Sequence, residues 1–377
     1  MKYLHMNIFI FCFLLFYSSN CSFQISLFNE MNKGKKGQNL IISPLSIFQI
    51  LSLTANGARD LTQLEMVQTL DGEDIEYLNS INYDILEISQ KFKTVEIANA
   101  VMSKFVPIKE FLDVSEKYCA PFQILKSAQQ VNGWCSEKTH GKIPKILDEL
   151  NSNIEMILLN AVYFKGEWKN KFSEKATQKK DFYNKGIEIK EIDTMIKLTQ
   201  FSYYEDNKVQ VIELPYKEDN MTALVVLPRK DIDINRYVTS LDSNQDGLNE
   251  LIKQLRMAKV NLELPKFELE FSTSLKDILI DMGMENAFSN NADFSELREE
   301  GNLKIDDVLH KTYLKVDEEG TEAAAVTGIT VVTTSARPDK EIIYQMKVNR
   351  PFLFFLRNKN LPVDNDLLFM SKIEIIE

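Results

Sequence analysis

The stretch 154–164 (IEMILLNAVYF) constrains the chain more than any other. It is too apolar and too β-branched for a surface element, and it reads as a central strand with both faces covered. A strand of that kind needs a layer above and a layer below. The chain has 377 residues, 23 Phe and 13 Tyr, which is ample bulk for such a core.

Other segments give the layers. Residues 23–31 have helical spacing, ended by the turn Lys33-Gly34-Lys35-Lys36-Gly37. Ser43 is an N-cap with Pro44 at the first helical position, and the run through Ile47, Ile50, Leu51 and Leu53 is apolar nearly all round, so this helix is expected to be buried until Asn56-Gly57 stops it. Strands are expected over 94–104, 260–267, 269–271, 347–356 and 367–375. A hairpin is expected from 209–215 and 221–228 across 216–220. Helices are expected over 109–118, 131–147 and 274–282. Residues 308–317 (VLHKTYLKVD) alternate as a half-buried strand, with His310 on the apolar face. Helices dominate the first 150 residues and strands the rest, so the class is α+β with mostly antiparallel or mixed sheets. No Pro/Gly/Ser-rich linker and no repeat appears after residue 22, which favours a single domain over 23–377.

Residues 1–22 stand apart. Lys2 precedes the unbroken apolar run 8–17 (IFIFCFLLFY), followed by Ser18-Ser19-Asn20-Cys21-Ser22. Ten apolar residues are too few to span a bilayer, so this is read as a secretory signal peptide, and the protein as secreted. Asn220-Met221-Thr222 is then a glycosylation sequon in a turn. Of the four cysteines, Cys119 and Cys135 lie in the body, either bridged or as two free buried thiols.

Several functions are excluded. Lys+Arg 44 against Asp+Glu 55 gives a net charge of −11, which argues against a nucleic-acid or anionic-membrane partner. No Cys-x-x-Cys, nucleophile elbow, H-E-x-x-H or phosphate loop occurs. Only His140 and His310 follow the leader, so neither a metal, a cofactor nor enzyme catalysis is expected. His310 reads as a hydrogen-bonded core residue.

One segment is unusual. After Glu318-Glu319 come Gly320, Thr321, Glu322, Ala323, Ala324, Ala325, Val326 and Thr327, and from Ala323 to Ala336 there is no charge. A glycine is followed by tiny residues, then by the β-branched run Ile329-Thr330-Val331-Val332-Thr333-Thr334. A segment that slides between two paired strands must bring neither bulk nor charge to an inner face, and these residues satisfy that. Extended, fourteen residues span roughly 45 Å.

Here the sequence resembles the serpins. The likeness covers nearly all of 23–377 and rests on motifs in order: 39–47 (NLIISPLSI), 132–143 (NGWCSEKTHGKI), 159–168 (LNAVYFKGEW), 211–216 (VIELPY), 264–267 (LPKF), 292–295 (ADFS), the 318–327 hinge, 349–355 (NRPFLFF) and 368–370 (LFM). The resemblance implies three sheets, eight to nine helices and an exposed reactive-centre loop at about 318–340. It implies a metastable fold that traps a serine protease as an acyl-enzyme when the cut loop inserts into the large sheet. By position, Ser43, Ser46, Asn160 and His310 match the shutter, Trp168 the breach, and Gly320, Thr321, Glu322, Ala323, Ala324 and Ala325 the hinge. The family's loop count puts the reactive bond at Thr334–Ser335, which favours an elastase-like or chymotrypsin-like target over a trypsin-like one. The protein is expected to be a monomer. A short stretch between Leu70 and Asn132 argues against a long helix there and against a heparin-type cofactor. The alternative is a non-inhibitory carrier, chaperone or storage protein, against which the hinge composition speaks.

Overall fold

A computed structural model describes residues 22–218, 220–242, 247–300, 303–321 and 342–377. The leader and the loop residues Glu322, Ala323, Ala324, Ala325, Thr334 and Ser335 lie outside them. The described residues form three sheets and nine α-helices.

The strand expected to be central is central. Met156–Phe164 is buried at all nine positions and is the third strand of a five-stranded sheet. The order is Phe267–Ser274, Asp307–Val316, Met156–Phe164, Val95–Ser103 and Gln123–Ile124. Its neighbours differ in direction. Val95–Ser103 pairs with it antiparallel over its full length, whereas Asp307–Val316 pairs with it parallel, from Asp307 opposite Ile157 to Tyr313 opposite Tyr163. Phe267–Ser274 is antiparallel to Asp307–Val316. A parallel pair thus sits in the middle with an antiparallel pair on each side, and a second, two-position parallel pairing joins Val95–Ser103 to Gln123–Ile124 at the edge.

Two helices cover this sheet. Pro44–Ala55, buried at every residue, packs against Val95–Ser103, Met156–Phe164 and Leu367–Ile373, so it lies between the five-stranded sheet and a nine-stranded one. On the opposite face Ala128–Lys138 buries Val131, Trp134 and Cys135 against Ile157, Leu159, Tyr163 and Tyr313. The nine-stranded sheet runs from Leu40–Ile42 through Leu367–Ile373, Phe352–Asn358, Met221–Pro228, Val209–Pro215, Glu188–Glu205 and Arg256–Pro265 to Ile343–Lys347. Gln178–Asn184 pairs with Glu188–Glu205.

Several expectations need correction. Asp307–Val316 is not half-buried: eight of its ten residues are buried, because the chain after Ala128–Lys138 covers the second face. There Lys311 Nζ is bonded to the Lys145 carbonyl, and Lys142 lies 5.4 Å over the Tyr313 ring. The expected helix over 131–147 stops at Lys138. His140 and Gly141 take φ of +52° and +79°, and Asn132 Oδ1 accepts from the Ile146 and Leu147 amides, folding the chain back. The region thought too short for a long helix contains Ile75–Ser89, fifteen residues capped by Asp74. Ser43 occupies the N-cap position, but its hydroxyl makes no capping bond. The strand expected over 347–356 is two, Ile343–Lys347 and Phe352–Asn358, separated at Val348 to Pro351, where the proline ends the ladder. Cys119 and Cys135 are both free, and only Cys135 is buried.

Candidate functional site

The polar residues in the middle of the five-stranded sheet form one row. Asn99, Asn160 and His310 are register partners on three adjacent strands. Asn160 Nδ2 donates to Asn99 Oδ1 at 2.6 Å, and His310 Nδ1 lies 2.5 Å from Asn160 Oδ1. The Ser43 amide donates to His310 Nε2 at 3.2 Å, which makes Nε2 the acceptor and leaves the ring proton on Nδ1, donated to Asn160. The Ser46 hydroxyl lies 2.9 Å from Asn160 Oδ1 and 3.0 Å from the Ser43 carbonyl. Thr312 Oγ1 donates to the Ile41 carbonyl, a second tie from the same strand to the segment before the helix. Ser43, Ser46, Asn160 and His310 are thus brought together as the sequence implied. Asn99 and Thr312 were not singled out. An asparagine in the middle of the apolar strand 94–104 was the available signal.

The Nδ1–H bond to Asn160 spans the parallel pair, and the bond that Nε2 accepts from the Ser43 amide requires a neutral imidazole. Complete burial pushes His310 down to about 3, so the ring is uncharged across the physiological range. The unfolded chain takes up a proton at its ordinary value of 6.5, the folded chain only near 3. His310 therefore contributes stability above pH 6.5 that is lost as pH falls. Between pH 7 and 5 the loss is about 2 kcal/mol at about 1.4 kcal/mol per unit. Burial raises Asp71 to about 6, which has the opposite sign, so the comparison must be internal. In urea unfolding the parent chain is expected to lose about 2 kcal/mol more between pH 7 and 5 than His310→Gln does. Equal slopes would contradict the assignment.

At the end of this pair the chain turns back. The Asp317 amide donates to the Gly320 carbonyl, and Gly320–Thr321 pairs antiparallel with Gly166–Glu167, just beyond the end of Met156–Phe164. Gly320 has φ +152°, and a Cβ there would meet the Gly166 carbonyl oxygen at 2.0 Å. Only glycine fits. Trp168 holds the turn from one side: its indole Nε1 donates to the Asp317 carbonyl at 2.9 Å and its amide to the Glu319 carbonyl at 3.0 Å. The indole stacks on Tyr216 at 4.3 Å. Glu318 is nearly buried and accepts from Thr177 Oγ1 at 2.6 Å, with Lys266 Nζ 2.8 Å away. Burial pushes its carboxyl up, but the bonds from Lys266 and Thr177 outweigh this and hold it below its ordinary value. Lys171 pairs with Glu319. Tyr216, Lys266 and Thr177 carried no role in the sequence reading, although the first two lie in quoted motifs.

Asn220 is exposed in the turn between Val209–Pro215 and Met221–Pro228, with φ +66°. Among the described residues no group of His, Cys, Asp and Glu is arranged to hold a metal, and no helix is long and apolar enough to cross a membrane.

The model of the Serpin (serine protease inhibitor) family matches residues 18–375. This chain is a serpin. It is 31% identical to Iripin-2 of Ixodes ricinus, over 94% of this chain and 92% of that one. It is 32% identical to a leukocyte elastase inhibitor of Bos taurus, over 94% and 98%. Among solved structures it superposes on Tengpin, a thermophilic serpin in its native state, with a TM-score of 0.85 and 30% identity, covering 94% of this chain and 92% of that one. The α+β fold of mixed sheets and nine helices described above is the serpin fold, and the family includes inhibitors among these relatives.

Proposed function

We propose that this serpin is a suicide-substrate inhibitor of a serine endopeptidase, with an elastase-like or chymotrypsin-like target favoured over a trypsin-like one. The register at the hinge carries the reading. Gly320 opposite Glu167 and Thr321 opposite Gly166 head the chain back along the joint between Met156–Phe164 and Asp307–Val316. Stepping on in that register, residue 323 falls opposite Phe164 and residue 331 opposite Met156. The parallel pairing, continued one position, sets Phe164 beside Leu314, so the same residue 323 meets both strands. A strand entering there would replace the parallel pair by two antiparallel pairs. Its residues 323–331 are the small and β-branched ones, Ala-Ala-Ala-Val-Thr-Gly-Ile-Thr-Val.

The reactive bond is the one that the family's loop count gives. The protease serine Oγ attacks the Thr334 carbonyl carbon, the bond to the Ser335 nitrogen breaks, and the Ser335 amine leaves with a proton. Thr334 is then an ester on the enzyme. The severed loop is free to enter the sheet from its Gly320 end and carry the enzyme with it before water reaches the ester. The serpin supplies binding and movement, and the acyl transfer is the protease's own. Export and a glycan at Asn220 are the setting that the leader and the sequon support.

Mixing the protein with elastase-, chymotrypsin- and trypsin-like enzymes tests the reading on denaturing gels. A covalent band at the summed mass is expected with the first two. Nicking of the loop by every enzyme, without that band, would leave a non-inhibitory serpin. N-terminal sequencing and glycosidase treatment of the exported protein check the leader and Asn220.

A further inference from the structure

A second cleft lies against the nine-stranded sheet. Lys185 and Gly186, with φ of +51° and +81°, turn the hairpin between Gln178–Asn184 and Glu188–Glu205. Two backbone bonds tie this hairpin down: the Tyr183 amide donates to the Asn349 carbonyl and the Lys185 amide to the Glu374 carbonyl. Its tip thereby faces the end of Met221–Pro228 and the start of Phe352–Asn358 across a cleft of about 750 Å³, a volume within the range of small-molecule sites. Tyr183, Ile187, Pro228, Ile232 and Pro351 give the cleft apolar walls. Ile187 lines it while 77% exposed.

The lining is cationic in a chain whose net charge is −11. Five cations, Lys36, Lys185, Arg229, Lys230 and Arg350, stand against three acids, Asp231, Asp233 and Glu374. Most are matched. Glu374 is buried against Lys372, Asp233 pairs with Lys36, Lys185 with Glu188 and Arg229 with Glu205. Lys230 and Asp231 are exposed chain neighbours that offset each other. Arg350 is left over. Its Nε donates to the Pro228 carbonyl at 3.0 Å and its Nη1 to Asn349 Oδ1 at 3.4 Å, and no carboxylate among the described residues pairs with it. Its Nη2 makes no hydrogen bond and is not sealed from solvent. Burial, and then the Arg229 guanidinium, push Arg350 down to about 10, as befits a half-buried cation without a counter-ion. A guanidinium of this kind matches a carboxylate. A multiply charged anion would need further unmatched cations and would leave the apolar walls uncovered.

We propose that this cleft binds a small anionic amphiphile, with a single carboxylate on Arg350 Nη2 and an unbranched apolar chain along Ile187 and Ile232. The charge fixes the head, and the apolar walls take the tail out of water.

Trifluorooctanoate, fluorinated at its terminal methyl and kept below its micellar concentration, is the probe. Broadening of its fluorine line by the full chain is the readout. Saturable binding is expected, with displacement by octanoate. Octanamide keeps the chain and loses the charge, acetate keeps the charge and loses the chain, and each should displace the probe about tenfold less well than octanoate. Arg350→Gln removes the charge but keeps a donor for the Pro228 carbonyl, and should weaken binding about tenfold. Ile187→Glu alters an exposed side chain, so the core is untouched, and it brings a like charge to the cleft. It should weaken binding about fivefold, which keeps the test decisive if Arg350→Gln does not fold. No saturable broadening with the parent chain, equal displacement by octanamide, or undiminished binding in the folded variants overturns the site. No protease enters the test, so its outcome is independent of trapping.

Discussion

Cutting the chain within the charge-free run 323–336 is expected to raise the thermal midpoint by roughly 20 °C. In the uncut molecule the joint between Met156–Phe164 and Asp307–Val316 is a parallel pairing seven positions long. After insertion each of these strands gains a new antiparallel neighbour, and about ten additional backbone hydrogen bonds form, each contributing about 1 kcal/mol net. Burial of the β-branched side chains adds to this. At about 2 °C per kcal/mol for a domain of this size, the gain is well outside the scatter of a melt. Calorimetry before and after limited proteolysis measures it, and hydrogen exchange should report protection along Met156–Phe164 and Asp307–Val316 in the cut form. A midpoint unchanged by cleavage would mean that the loop stays outside, and the trapping mechanism would fall while the fold stood.

Thr321→Arg is expected to turn the inhibitor into a substrate, with the number of serpin molecules consumed per trapped protease rising at least tenfold. Residues directly opposite on adjacent strands share a face. Position 321 stands opposite Gly166, and its register on the other strand falls at Val316, which is fully buried with Phe164 and Leu314 in the main core. A guanidinium entering that face has no anion to meet, and burying an unpaired charge costs several kcal/mol. Each 1.4 kcal/mol added to the insertion barrier shifts the contest with ester hydrolysis tenfold. Titration of a fixed amount of protease measures the ratio. Calorimetry of the uncut variant separates a loss of insertion from a loss of the native fold. Stoichiometry near one in this variant would contradict the register.

Much of the molecule was legible from local pattern. The run 154–164 announced a strand covered on both sides because no other environment accepts that composition, and 44–55 announced a buried helix for the same reason. Gly320 was legible because the turn there admits no side chain, and the 2.0 Å approach of a Cβ to the Gly166 carbonyl oxygen is that demand seen directly. Where the reading failed, distant residues decided. The alternation at 308–317 promised a wet face, but the chain following Ala128–Lys138 lies across it and buries Lys311. The helix expected through 147 ends at Lys138 because Asn132 captures two amides fourteen and fifteen residues on. The long helix Ile75–Ser89 was missed because the segment was judged by its length between motifs and not by its own periodicity.

Residue order alone settled which segments are strands, which helix is buried and which stretch carries neither bulk nor charge, because those depend on each residue's own volume, polarity and backbone freedom. Tertiary structure alone decided that Asn99, Asn160 and His310 stand in one row, that Glu318 meets Lys266 and Thr177, and that the central strands run parallel with Gly320–Thr321 turned back beside them. Those are relations between residues as many as 211 positions apart (99 and 310), and strand direction and register arise from the packing of whole layers. Local propensity is blind to them.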